Sequence, residues 1–168
     1  MFNEKAFEKA LDYIEARDRT EAEVRSRLER AGFGEEDVLG VTAKLRELRL
    51  IDDADYVIRY LAALRRKGRG RVRIRSEMLR KGLPEELVRF AIEDGYDRED
   101  ELENARNVAE SALSGIPSGL PPEKKAGKIS LRLKSRGFPY DVITEVMSGI
   151  RKKLYEGEAC QQTAATSM

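Results

Sequence analysis

The sequence predicts an all-α protein of three tandem three-helix repeats, about nine helices in an elongated, curved array. Three observations carry that reading. Apolar residues recur at helical spacing through a chain of 168 residues that is 40% apolar and 38% charged, a composition suited to helices with one packed and one solvated face. Aromatics make up only 7% of the chain and Trp is absent, which argues against a sheet. Three segments also align on a glycine: VRSRLERAGFGEEDV on Gly32, IRSEMLRKGLPEELV on Gly82 and ISLRLKSRGFPYDVI on Gly137, an internal repeat.

Aligned positions share their chemistry. Val24, Ile74 and Ile129 stand eight residues before the glycine, and Leu28, Met78 and Leu133 stand four before it. Residues four apart share a helix face. Phe33, Leu83 and Phe138 follow the glycine directly, and Val38, Val88 and Ile143 come five residues after those. A glycine able to take left-handed backbone, followed by an apolar residue, is the signature of a helix end.

Taken in order, the first helix is expected over Phe2–Arg17, with Ala6, Phe7, Ala10, Leu11 and Ile14 on one stripe. Thr20-Glu21-Ala22-Glu23 reads as a capping box that opens the second helix. Asp52 or Asp53 caps a fourth helix over Asp53–Lys67, whose stripe is Tyr56, Val57, Tyr60, Leu61 and Leu64. Gly70 aligns with Thr20, so the alternating Arg71-Val72-Arg73-Ile74-Arg75 becomes a helix start rather than a strand. Ile74 and Met78 form its buried stripe, leaving Arg71 and Arg75 on a flank. The seventh helix is expected over Asp97–Leu113, and Ser114–Lys125 reads as a breaker-rich loop. Pro84 and Pro139 suit the first turn of the helices after Gly82 and Gly137. Acidic Glu35, Glu36, Glu85, Glu86 and Asp141 then sit near the positive ends of those helices. The expected repeats are residues 1–50, 51–95 and 96–156, with a disordered polar tail over 157–168.

Histidine is absent. This removes His-based metal sites, Ser-His-Asp triads and the commonest acid–base catalyst. Asp52, Asp53 and Asp55 read as caps and dipole partners, not as a metal cluster. No catalytic, metal or cofactor residues are expected. The first residues run straight into charged helical sequence, no apolar run nears the ~20 residues of a membrane span, and Cys160 is the sole cysteine. The expectation is a soluble, monomeric cytoplasmic protein without membrane contact.

Net charge is +1 but segregated: −2 over residues 1–50, +6 over 51–82, −8 over 83–123 and +5 over 124–168. Seven of the eleven residues Arg65–Arg75 are cationic. Cations at a helix start oppose its dipole by about 0.3–1 kcal/mol each at low salt. Phosphates or an acidic protein groove would relieve that repulsion; a solvated face is the plainer reading. The candidate contact residues are Arg65, Arg66, Lys67, Arg69, Arg71, Arg73, Arg75, Arg80 and Lys81. A second strip of Lys124, Lys125, Lys128, Arg132, Lys134 and Arg136 serves equally as a contact or as a solvated face. The acidic run Glu93–Glu103 reads as a solvated helix start, and Tyr13, Tyr56, Tyr60 and Tyr96 as core or boundary residues.

Three segments carry a resemblance to a known family: ALDYIEARDRTEAEVRSRLERAGF, LIDDADYVIRYLAALRRKGRGRVRIRSEMLRKGL and LRLKSRGFPYDVITEVM. Their order and spacing over roughly residues 5–155 resemble the RecX family, bacterial regulators of the RecA recombinase. Tyr56 stands where Phe is common, and Arg71 where Pro is frequent. The resemblance implies an all-helical, non-enzymatic protein that associates with RecA–DNA filaments and restrains recombinase, ATPase and coprotease activity in DNA repair and the SOS response. Single- or double-stranded DNA would be a weaker partner. The alternative is a helix-turn-helix type DNA binder acting without RecA, although no recognition helix rich in base-reading side chains stands out.

Overall fold

The computed structural model describes the backbone of residues 2–165 and the side chains of residues 2–156. The side chains of the tail read over 157–168 therefore lie outside the described residues. Among the described residues there are nine helices and no strand: α1 Glu4–Glu15, α2 Glu21–Arg30, α3 Glu35–Glu47, α4 Asp53–Arg66, α5 Arg71–Arg80, α6 Glu85–Gly95, α7 Arg98–Ser114, α8 Pro122–Arg136 and α9 Tyr140–Ala165.

Their ends follow from local chemistry. Thr20 and Glu23 form the reciprocal capping box at α2. Asp52 Oδ1 accepts from the N–H groups of Ala54 and Asp55 at 2.9 and 3.0 Å, so Asp52 caps α4. Asp53 is used elsewhere: its carboxylate accepts the Glu21 N–H at 2.9 Å, where α2 begins. Helices α2, α5 and α8 end alike. The N–H groups of Phe33, Leu83 and Phe138 each donate five residues back, to the carbonyls of Leu28, Met78 and Leu133. The preceding Gly32, Gly82 and Gly137 have φ of 89°, 75° and 80°, the left-handed cap that glycine adopts without Cβ strain. Gly68 closes α4 in the same way, at φ 66°.

Some expected boundaries shift. Pro84 and Pro139 each stand one residue before their helices, where their carbonyls accept from Val88 and Ile143. The ring at a helix entrance sacrifices no helical hydrogen bond. The expected loop Ser114–Lys125 is shorter, because Pro122 starts α8 with a preset φ and Glu123–Lys125 are already helical.

The chain divides into two compact units, Met1–Ala63 with Arg75–Gly95, and Leu64–Ile74 with Tyr96–Met168. In the first, α1, α2 and α3 bury Ala6, Ala10, Val24, Leu28, Val38, Val41 and Leu45 together with Ile51. In the second, α7, α8 and α9 bury Leu102, Ala105, Ala109, Ile129, Leu133, Val142 and Val146, with Phe138 from the glycine turn. Ile74 and Met78 of α5 are fully buried, as the stripe predicts.

Inside each unit the start of one second helix presses on the glycine that ends another. Thr20 Oγ1 donates to the Lys81 carbonyl at 2.6 Å, and a Cβ on Gly82 would lie 2.3 Å from that of Ala22. The Gly70 and Val72 N–H groups donate to the carbonyls of Arg136 and Gly137 at 3.0 and 3.1 Å. A Cβ on Gly137 would fall 2.3 Å from that of Arg73, and one on Gly70 would meet the Gly137 carbonyl at 2.3 Å. Gly32, by contrast, has open space around it. Gly32→Ala should therefore cost only the left-handed strain, about 1 kcal/mol, whereas Gly137→Ala should cost roughly 2–4 kcal/mol as overpacking is added. Urea unfolding of the two variants checks the difference.

Candidate functional site

The basic segment enters the second unit through a turn with two glycines. Helix α4 ends at Gly68, and a Cβ there would sit 2.7 Å from Val108. The Arg69 carbonyl accepts from the Tyr96 hydroxyl at 3.2 Å. Asn104 donates to both the Tyr96 oxygen and the Arg65 carbonyl, at 2.8 and 3.1 Å. Burial pushes the Tyr96 phenol up to about 12, while the Asn104 hydrogen bond and the Arg65 charge act against the rise. The fold thus holds a neutral, donating hydroxyl at this turn.

Several of the predicted contact cations are engaged inside the protein. Arg65 lies over the Tyr96 ring and pairs with Asp100 at 2.6 Å. Arg71 pairs through Nε with Glu101, whose other oxygen accepts the Arg71 N–H at 2.7 Å. Glu101 is 0% exposed, which corrects the reading of Glu93–Glu103 as wholly solvated. Its carboxylate caps α5 from α7 and offsets the cationic helix start. No local signal marked it, since the partners are thirty residues apart. In the first unit Arg75 pairs with Glu85, Lys81 pairs with Glu23 at 2.8 Å, and Arg80 donates to the Ser76 carbonyl. Burial opposes ionisation of Glu23, but Lys81 and the Thr20 N–H outweigh it and hold its carboxyl below the ordinary value.

Five other cations gather, Arg69 and Arg73 not among them. A cleft of about 530 Å³ in the second unit is lined by Arg66 and Lys67 from the first strip and by Lys128, Arg132 and Arg136 from the second. Asn104, Asn107 and Ser111 add neutral polar groups, Val108, Ala112 and Ile116 apolar walls, and no acidic residue lines it. Lys128, Arg132 and Arg136 are four apart on α8 and so share a face. Arg136 Nη1 donates to the Lys67 carbonyl, joining the two strips. Burial first, then the neighbouring charges of Arg132, Arg69 and Arg73, lower the Arg136 guanidinium below its ordinary value. The other members of the second strip point elsewhere: Lys134 lines a separate hollow with Arg151 and Tyr155, Lys125 donates to the Ser118 carbonyl at 2.7 Å, and Lys124 is exposed. Asn104, Asn107 and Ser111 were not among the sequence candidates, because neutral polar residues on an acidic helix carry no distinctive spacing. Among the described residues no helix is long and apolar enough to cross a membrane.

Comparison with known proteins gives a consistent result. Residues 6–45 match the first three-helix domain of RecX, and residues 52–92 match the second. The chain is 33% identical over 143 residues to the regulatory protein RecX of Chlorobaculum tepidum, an alignment covering 84% of this chain and 86% of that protein. A regulatory protein RecX of Trichlorobacter lovleyi is 28% identical over 138 residues, covering 82% and 90%. Of solved structures, the crystal structure of RecX from Lactobacillus salivarius superimposes with a TM-score of 0.74 at 24% identity, covering 88% of this chain and 95% of that one. A further crystal structure of regulatory protein RecX has a TM-score of 0.75 at 26% identity, covering 86% and 72%.

Two outcomes follow from the Glu101 and Tyr96 geometry. Glu101→Ala should lower stability by about 2–3 kcal/mol in denaturant titration, since it leaves the Arg71 N–H without its acceptor. Glu99→Ala, on the solvated face, should stay within about 0.5 kcal/mol of wild type. Because the Tyr96 pKa is raised in the folded state, its contribution is complete below the ordinary value of 10 and is lost as pH climbs toward about 12. Tyr96→Phe should remove that part of the alkaline loss of stability when the two proteins are unfolded side by side across this range.

Proposed function

The chain belongs to the RecX family of regulatory proteins, and from that premise we propose that it is a non-enzymatic regulator of the RecA recombinase. It binds the RecA–DNA filament, protein first and DNA second, and mainly inhibits recombinase, ATPase and coprotease activity. The observation that carries the reading is the convergence of Arg66, Lys67, Lys128, Arg132 and Arg136 on one cleft without an acidic lining residue. Two basic strips separated in sequence come together only in the fold, whereas Arg65, Arg71, Arg75 and Lys81 serve internal contacts. A cleft that concentrates cations favours an anionic surface over a neutral one and speeds its encounter. Stronger binding to one state of the filament then shifts its assembly, without any chemical step.

The test adds the protein to preformed RecA–ssDNA filaments while ATP hydrolysis and filament length are followed. The expected outcome is reduced hydrolysis and shorter filaments, with at least a tenfold loss of potency in an Arg66→Glu/Arg132→Glu variant that stays folded. Absence of any effect of the intact protein over a wide concentration range would refute the reading. Binding to bare single strands with a log–log salt slope near −3.5, as about five phosphate contacts would give, and equal with and without RecA, would instead support a RecA-independent DNA binder.

A further inference from the structure

The cleft of the second unit has two walls of opposite character. On one side Lys128, Arg132 and Arg136 step along α8 at about 6 Å. On the other, α7 presents Asn104, Asn107, Val108, Ser111 and Ala112, a run at i, i+3, i+4, i+7 and i+8 that makes one helix face. Helix α7 also carries Glu99, Asp100, Glu101, Glu103 and Glu110, and none of them lines the cleft. An acidic helix thus turns an uncharged, partly apolar face toward a row of cations. A groove for a polyanion alone would gain from cations on both walls. Two unlike walls suit a ligand that has an anionic part and an apolar part.

The cations also crowd one end. A Cβ on Gly68 would stand 2.7 Å from Val108 Cγ2 and 3.5 Å from Arg136 Nη1, so the two walls come together at that glycine. Arg66 and Lys67 precede it in the chain, and Arg136 donates to the Lys67 carbonyl. This end admits a terminal group rather than the middle of a long chain. We infer that the cleft is a nucleotide site, with a terminal phosphate at Arg66, Lys67 and Arg136 and the nucleoside lying along α7 toward Ile116. Guanidinium groups take phosphate oxygens in a bidentate fork. Val108, Ala112 and Ile116 cover a face of the base, while the exposed Asn107 and Ser111 offer donors and acceptors to its edge or to the sugar hydroxyls. An acyl chain would match the apolar residues but cover those two polar groups without answering them, which favours a nucleoside over a lipid tail. The volume of about 530 Å³ falls within the roughly 300–1,000 Å³ of small-ligand sites. Free nucleoside triphosphates and 5′-phosphorylated ends of single strands share this chemistry. The inference rests on the reading of the cleft as an anion-binding face, but it needs no RecA.

The test is calorimetric titration of the full chain without RecA, in magnesium-free buffer at matched ionic strength. The probes are ATP, inorganic tripolyphosphate, octyl phosphate, and a short oligothymidylate with or without a 5′-phosphate. Two comparisons decide: ATP against tripolyphosphate, and the phosphorylated strand against the unphosphorylated one. A preference of about tenfold, as two hydrogen bonds and a covered base would give, is expected in at least one. The first identifies a free nucleotide as the source and the second a strand end; either supports the site. Arg66→Gln should weaken the preferred probe at least fivefold. Asn107→Ala/Ser111→Ala should bring ATP down to the affinity of tripolyphosphate and leave tripolyphosphate unchanged. Equality in both comparisons overturns the inference, and so does the absence of binding. Octyl phosphate matching the preferred probe overturns it too, as does wild-type affinity in the Arg66→Gln variant. A chain that binds a nucleotide yet leaves RecA filaments unchanged keeps this inference and loses the RecA reading, and the opposite pair of results does the reverse.

Discussion

Each unit depends on a contact with no room for a side chain, where the first turn of a second helix lies against a glycine at the end of another. At Gly70 and Gly137 the approach is backbone to backbone, with two N–H donors meeting the carbonyls of Arg136 and Gly137. At Gly82 the place of a Cβ is taken by Ala22. The glycine has two tasks at once: its positive φ ends one helix, and its missing side chain admits the next. The same hydrogen bonds satisfy groups that a helix start or end would otherwise leave without partners.

Carboxylates complete these junctions from a distance. Asp53 accepts the N–H at the start of α2, and Glu101 does so at the start of α5. In both cases an acid from the next repeat's first helix caps the second helix of the repeat before it. At α5 this has a further effect. A buried carboxylate beside Arg71 neutralises part of a cationic helix start, so the fold pairs some arginines internally while others group in the cleft. Internal ion pairs and the cleft thus divide one basic segment between them.

Much of the fold was legible locally. Glycine with a following apolar residue, a capping box at Thr20 and apolar stripes at helical spacing are short-range signals, and the helices start and end within a few residues of those signals. The prolines and the loop before α8 shifted by one to a few residues, because a proline is compatible with both a helix entrance and its first turn. The site was less legible. Runs of cations marked which residues carry charge, but Arg71 and Arg66 look alike in sequence, and only the presence of Glu101 beside one of them separates their roles.

The amino-acid sequence by itself determined the helical repeat, its glycine-ended second helices and the segregation of charge, since each depends on residues within a turn or two of one another. The tertiary structure alone decided which cations are paired, that Glu101 is buried, and that Lys128, Arg132 and Arg136 share a cleft with Arg66 and Lys67. The reason is distance along the chain. Most of those contacts join residues thirty to seventy positions apart, and Coulomb attraction and packing act on separation in space, which no local pattern encodes.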